Sequence, residues 1–160
     1  MSQYSIKDFV NKSKDQEKEF IELLKPYLKI KSAVKSEDIY EHWDLEASIK
    51  IDLKAIKKIR RSDSQTNENI HWVELIGNTG QYGWLYGEAQ YFAFELEDYW
   101  MIVKAESLRD LIKHKCRHKI YSQIPKLYHL YTREGRKDTI TLVKTIDLMQ
   151  LDGGLVISKS

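Results

Sequence analysis

The pattern of apolar and polar residues has a helical period at the start of the chain and a strand period further on. Residues 5 to 25 predict a helix, because apolar side chains recur at 3.6-residue spacing, at Ile6, Phe9, Val10, Phe20, Ile21 and Leu24. Ser5 would cap its start and Pro26 would end it. Glu17 falls near the middle of the apolar stripe, where an unpaired carboxylate is costly.

The rest of the chain reads mainly as strands. Residues 49 to 54 alternate strictly between apolar and polar side chains, as a half-buried strand does. We expect other strands at 70–76, within 84–95, at 99–105, at 126–133 and at 139–149. Between them we expect a short helix or turn at 36–41, a glycine-containing loop at 77–83, a helix from Ser107 to about Lys119 and a turn at 134–138.

This order of elements predicts an α/β or α+β fold. The chain has 160 residues, no internal repeat and no linker rich in proline, glycine or serine, so we expect a single domain over residues 1–160. Apolar residues make up 42% and charged residues 31%, which is typical of a globular protein. No signal segment and no apolar run of ~18 residues occurs, so we expect a cytoplasmic protein that does not contact a membrane.

Charge is distributed unevenly, although the net charge is only +2. Two runs are basic, 54–61 and 113–119, and either would suit a phosphate backbone or simply form a solvated face. Tyr82 and Trp84 flank the last glycine of the 77–83 loop and have the ring systems that stack on bases. The candidate nucleic-acid contacts are Lys57, Lys58, Arg60, Arg61, Tyr82, Trp84, Lys115, Arg117 and Lys119.

Candidate chemistry is concentrated around residues 44 to 54. Asp52 and Lys54 lie two apart on a predicted strand and therefore face the same side. A turn near residues 46–48 would bring Asp44 back beside Asp52. Two neighbouring carboxylates repel each other and favour a cation between them, and an all-oxygen ligand set suits Mg²⁺ or Mn²⁺. Glu17 would supply a further carboxylate from the first helix.

The order of these residues resembles the PD-(D/E)xK nuclease superfamily. The motif reads HWD at Asp44 and DLK at Asp52 to Lys54, with Trp43 where the family usually has proline. A second stretch, residues 69–112, is similar to small phage-type members, with Glu74 at an acidic strand position and AQY at 89–91 in place of Ala-Asp-Tyr. Together the two stretches cover about residues 40–113.

The resemblance implies a restriction-endonuclease-like core, in which helices flank a central mixed sheet. It also implies hydrolysis of DNA, with Asp44 and Asp52 as ligands of Mg²⁺ or Mn²⁺ and Lys54 as the catalytic lysine. Glu17 joins the catalytic candidates through its position on the first helix, and the alternative for it is a rim residue paired with a lysine. Cutting both strands of a duplex would require a homodimer, and a phage-type protein would be virus-encoded and act in the host cell.

Several alternatives remain open. The D-x-K triplet also occurs on strands that merely face solvent, and a nuclease fold can serve as an inactive module that binds nucleic acid or a host protein. RNA is a further candidate substrate. Zinc is disfavoured, because the H-x-C-x-H run at 114–118 contains Cys116, the only cysteine of the chain.

Overall fold

A six-stranded mixed sheet lies at the centre of the protein. The computed structural model describes residues 6–24, 30–41, 43–46, 49–59, 63–116 and 119–159. The sheet strands are β1 Lys31–Ser32, β2 Leu45–Glu46, β3 Lys50–Lys54, β5 Tyr91–Glu95, β6 Tyr99–Lys104 and β8 Leu155–Ser158. Their order across the sheet is β1-β2-β3-β5-β6-β8. The β3–β5 pair is parallel and the other pairs are antiparallel.

Helices and a smaller sheet accompany the central sheet. The helices are α1 Ile6–Leu24, α2 Lys35–Glu41, α3 Ala105–Lys115 and α4 Thr145–Met149. The smaller sheet pairs β4 Ile70–Ile76 with β7 Thr139–Lys144 in antiparallel register. The predicted class, a mixed α/β fold with a central mixed sheet flanked by helices, is therefore confirmed. No helix within the described residues has the length and apolar character needed to cross a bilayer.

Strand alternation divides the core between the two faces of the central sheet. One face buries Ala93 and Trp100 against Phe20 of α1, and the Phe20 and Trp100 rings meet edge to face with centroids 4.8 Å apart. The other face buries Phe92 and Phe94 in a larger cluster that contains residues of α3, β4 and β7. Asp52 and Lys54 pair with Phe92 and Phe94 across the parallel ladder, so they follow the register of this second face.

Most of the predicted elements in the first two thirds of the chain are confirmed. These are the first helix, the helix at 36–41, and the strands at 49–54, 70–76 and 99–105, each to within a residue or two. Within the 84–95 stretch, only Tyr91–Glu95 is a strand, and it follows a short 3-10 helix at Trp84–Tyr86. Ser5, Pro26 and the side chains of residues 6–13 lie outside the described part of the chain.

The expected helix from Ser107 to about Lys119 is confirmed, but it begins two residues earlier and ends about four residues earlier than predicted. α3 begins at Ala105, because that residue is buried in the core and its amide binds the carbonyl of Gln90. The helix ends at Lys115, and Lys119 has a positive φ of 46°, which a helix cannot accommodate.

In the last third of the chain, the strand predicted at 126–133 is wrong, and the strand predicted at 139–149 is confirmed only as far as Lys144. Residues 126–133 make only isolated bridges, because Tyr128 adopts a φ of +59° and the bridges on either side of it run in opposite senses. Residues 139–149 form β7 and then α4, since the Thr145 amide and hydroxyl both bond to carbonyls of the 68–69 turn and direct the chain away from the ladder. The sequence pattern did not predict β8.

Candidate functional site

A tight antiparallel pair of strands places Asp44 beside Asp52. β2 and β3 pair with Leu45 opposite Ile51, so Asp44 continues the register opposite Asp52. The Asp44 amide donates to the carbonyl of Ile51 at 3.1 Å, and the Asp44 carboxyl accepts from the amide of Leu53 at 2.7 Å. The predicted return of the chain beside β3 is confirmed, and main-chain bonds fix the Asp44 side chain.

The carboxyl groups of Asp44 and Asp52 interact directly. Burial raises the pKa of Asp44 to about 6, and the negative charge of Asp52 adds to this rise. A hydrogen bond between the two carboxyl groups favours a proton on Asp44 and a charge on Asp52. Asp52 is only 5% exposed, and burial raises its pKa as well, although Lys54 opposes the rise. Both carboxyl groups would therefore be stabilised in their ionised form by a further cation.

Lys54 supplies one cation to this pair. Its Nζ lies 2.5 Å from Oδ1 of Asp52, and it also lies over the indole ring of Trp84, 4.4 Å from the centroid. The Trp84 ring in turn packs edge-on against Phe92 and Phe94. An aromatic wall thus holds the ammonium group in place, and a cation over an indole face is itself stabilised.

Glu17 approaches Asp44 from α1, across a cavity whose lining does not include Asp52 or Lys54. A cavity of about 60 Å³ is lined by Gln16, Glu17, Asp44, Leu53, Ala55 and Trp100. Burial raises the pKa of Glu17, and the charge of Asp44 raises it further. The indole N–H of Trp100, which also lines the cavity, has no hydrogen-bond partner among the described residues. The awkward apolar-stripe position of Glu17 thus places its carboxyl towards Asp44.

Three acidic side chains nevertheless do not form one compact ligand set. Within the described residues, no group of three or more His, Cys, Asp or Glu side chains is arranged to hold a metal ion. Glu74 lies on β4 of the smaller sheet and packs against Gly83 of the neighbouring loop. The central grouping is consequently Asp44, Asp52 and Lys54, with Glu17 across a small cavity.

The candidate nucleic-acid contacts fall into separate places. Lys57 and Lys58 are exposed just after β3, and Tyr82 is 73% exposed on the 77–83 loop. Trp84 is only partly exposed and already engaged by Lys54, which leaves its face unsuited to stacking on a base.

The second basic run lies at the end of α3. Lys115 is 3.9 Å from Asp147 and lies over the ring of Tyr128, whereas Lys119 is exposed. Arg60, Arg61 and Arg117 lie outside the described residues.

Sequence reasoning missed a buried acid near this site. Glu95, at the end of β5, is 6% exposed, and its carboxylate accepts from Gln16 at 2.5 Å, from the Ile56 amide at 3.0 Å and from Lys159 at 2.9 Å. Its three donors come from distant parts of the chain, and the local sequence FELED resembles an ordinary strand end. The role of Glu95 is to tie α1, the end of β3 and the C-terminal segment together beside the cavity.

Comparison of the chain with protein-family models, with curated proteins and with solved structures finds no match. The function is therefore inferred from the geometry of the site. That geometry offers two adjoining carboxyl groups with raised pKa values, a restrained lysine and a small polar cavity beside them.

Proposed function

We propose that the protein is a metal-dependent endonuclease that hydrolyses DNA phosphodiester bonds. Asp44 and Asp52 would hold Mg²⁺ or Mn²⁺, and Lys54 would be the catalytic lysine. The observation that carries this proposal is the antiparallel register that sets Asp44 opposite Asp52, together with the ion pair of Asp52 with Lys54 at 2.5 Å. The order of the three residues in the PD-(D/E)xK-like motif supports it.

The donor chemistry of the site fits a hard divalent ion. Mg²⁺ is commonly held by one or two carboxylates and completes its shell with water and substrate phosphate oxygens. Two facing carboxyl groups with raised pKa values are stabilised when a cation replaces the shared proton. When bound, such an ion would polarise the scissile phosphate and lower the pKa of the attacking water.

The side chains around the two acids have complementary roles. Lys54 Nζ, held over Trp84, would donate to a non-bridging phosphate oxygen and stabilise the charge that develops there. Glu17, which lines the same cavity as Asp44, would accept a proton or a hydrogen bond from water. The indole N–H of Trp100 can donate to an oxygen in the same cavity.

Plasmid cleavage tests this proposal. Supercoiled DNA is incubated with the protein in Mg²⁺ or Mn²⁺, with EDTA as the metal-free reaction. Asp52→Ala should abolish nicking, and Lys54→Ala should slow it by roughly 10²–10³-fold, as removal of a charge-stabilising donor does. Asp110→Ala and Lys104→Ala, both at exposed positions, are the matched controls and should cleave like the wild type. Full activity in either site variant would refute the assignment.

A second candidate is a binding module of the same fold that does not cut. It is favoured by one observation: the described residues contain no group of three acids placed to hold a metal ion. Calorimetric titration with Mn²⁺ separates the two. The nuclease predicts a binding isotherm that Asp44→Asn removes, whereas the module predicts DNA binding without any effect of Mn²⁺. A parallel assay with RNA identifies a ribonuclease, and sedimentation in the presence of a duplex shows whether a homodimer cuts both strands.

A further inference from the structure

Two loops from distant parts of the chain meet at one end of the β4–β7 pair. The first is the 77–83 loop after β4, and the second is the 132–138 segment before β7. Arg133 and Arg136 of the second loop both donate to the same side-chain oxygen of Asn78 in the first, each at 3.3 Å. The aliphatic chain of Lys137 lies beside Gly80, 3.7 Å from where a β-carbon would be.

The position of Arg133 is fixed by a buried acid. Asp138 is fully buried, and it accepts from the backbone amide of Arg133 at 3.0 Å and from the guanidinium group of the same residue. Arg136 and Lys137 are exposed, and within the described residues neither is held by a comparable buried acid. Their loop is therefore a rigid support that presents two accessible cations to solvent. Glu134, the other acid of the segment, is exposed at the turn beside Gly135.

The arrangement concentrates like charge. Since one nitrogen of each guanidinium group lies 3.3 Å from one oxygen, the two nitrogens are within twice that distance of each other. The shared acceptor is a neutral amide, and Asp138 compensates the charge of Arg133. The charges of Arg136 and Lys137 have no such buried acid among the described residues, so an anion bound beside them would offset these charges, and a guanidinium fork matches the oxygens of a phosphate.

Lys57, which follows β3, is linked electrostatically both to the candidate active site and to this loop. Its ammonium group is influenced by the charges of Lys54, Glu74 and Asp52 and by that of Arg133. Although Lys57 is an exposed residue, nearby protein atoms lower the pKa of its ammonium group, and the charge of Lys54 lowers it further. Lys57 is therefore the cation that connects the charge of this loop with that of the candidate site.

We propose that Lys57, Arg133, Arg136 and Lys137 form a basic strip that binds the DNA phosphate backbone next to the scissile phosphate. This inference deepens the proposed function and rests on it, because it names the surface that holds the substrate beside Asp52. Tyr82, 73% exposed on the first loop and in edge contact with Tyr86, borders the strip and offers an aromatic face to a sugar or base. Binding by such a strip depends on charge and is independent of base sequence.

The test measures binding of a fluorescein-labelled DNA duplex by anisotropy in EDTA over a series of salt concentrations. The double variant Arg136→Ala with Lys137→Ala removes the two exposed cations and spares Arg133, which the buried Asp138 requires. We expect affinity to fall roughly tenfold and the slope of log affinity against log salt to decrease by about two, because each of the two cations would neutralise one phosphate.

The matched control removes the same charge elsewhere. Lys104→Ala with Lys144→Ala takes two exposed lysines from the ends of β6 and β7, outside both basic runs, and its affinity and salt slope should equal those of the wild type. Thermal melting by circular dichroism confirms that both double variants are folded. Equal decreases in affinity in the two double variants, an unchanged slope in the first, or no duplex binding by the wild type would each overturn the strip.

Failure of the strip and failure of catalysis give different results. If the wild type never nicks plasmid but the Arg136–Lys137 variant still has a salt slope reduced by two, the enzyme proposal fails and the strip stands. If the wild type nicks plasmid and the variant binds with full affinity, the strip fails and the enzyme proposal stands.

Discussion

Replacing Asp44 with asparagine should stabilise the metal-free protein while destroying its activity. The isosteric amide keeps an oxygen to accept from the Leu53 amide, but it carries no charge beside Asp52. The wild-type acid is mostly buried, and its pKa is raised from 3.8 to about 6 by burial and by Asp52. A rise of roughly two units corresponds to about 3 kcal/mol between the protonation states.

The sign follows from proton binding. Between about pH 4 and pH 6 the folded protein binds more protons at Asp44 than the unfolded chain does, so wild-type stability falls as the pH rises through this window. Above about pH 6, the ionised Asp44 carboxylate lowers the free energy of unfolding by about 3 kcal/mol, and Asp44→Asn removes this destabilisation. For a chain of 160 residues this is a rise in Tm of roughly 6–12 °C near neutral pH.

Urea denaturation in EDTA at neutral pH and near pH 4 provides the assay. The variant should be more stable than the wild type at neutral pH, and the difference should vanish near pH 4. Asp110→Asn, at an exposed position of α3, is the control and should change stability by less than about 0.5 kcal/mol. An Asp44→Asn protein that is less stable at neutral pH, or equally stabilised at both pH values, would refute the electrostatic account of the site.

Three further predictions concern the structure around the site. Gly83→Ala should destabilise the protein by about 1–3 kcal/mol in urea, because the new β-carbon would lie 2.6 Å from the carbonyl oxygen of Glu74, whereas Gly77→Ala has room and should cost less than about 1 kcal/mol. Burial lowers the pKa of His71 from 6.5 to about 4, so its contribution to stability rises with pH over that window by about 3 kcal/mol. The trend with pH is opposite to that of Asp44. It should appear as a pH-dependent difference in the free energy of unfolding between the wild type and His71→Leu. A difference that does not change with pH would show that His71 is not buried in its neutral form. Phe20→Ala should cost about 3–5 kcal/mol, since the ring is fully buried under α1, and a decrease in stability below 1 kcal/mol would show that α1 is not packed there.

The central pair of the site was within reach of sequence reasoning because its geometry is local. Strict alternation over residues 49–54 fixes which side Asp52 and Lys54 face, and a short connection allows only an antiparallel return past Asp44. The position of Glu17 in an apolar stripe also indicated a carboxyl turned inward, and the structure places it at a polar cavity.

Features that depend on long-range pairing were not predictable in the same way. β4 and β7 lie some seventy residues apart and pair with each other instead of joining the central sheet, and no local pattern specifies a strand's partner. The contact of Arg133 and Arg136 with Asn78 depends on that pairing, since it brings their two loops together. The strand predicted at 126–133 failed for a related reason, because a tertiary contact of Tyr128 with Asp147 and its left-handed backbone outweigh a favourable strand composition.

Anomalous X-ray diffraction from crystals grown in Mn²⁺ tests the central claim most directly. We expect one strong manganese peak about 2.1 Å from carboxyl oxygens of both Asp44 and Asp52, with Lys54 beside it, and no such peak in crystals of Asp52→Asn. A manganese ion bound only elsewhere, or no ion between these two acids at saturating Mn²⁺, would contradict the account.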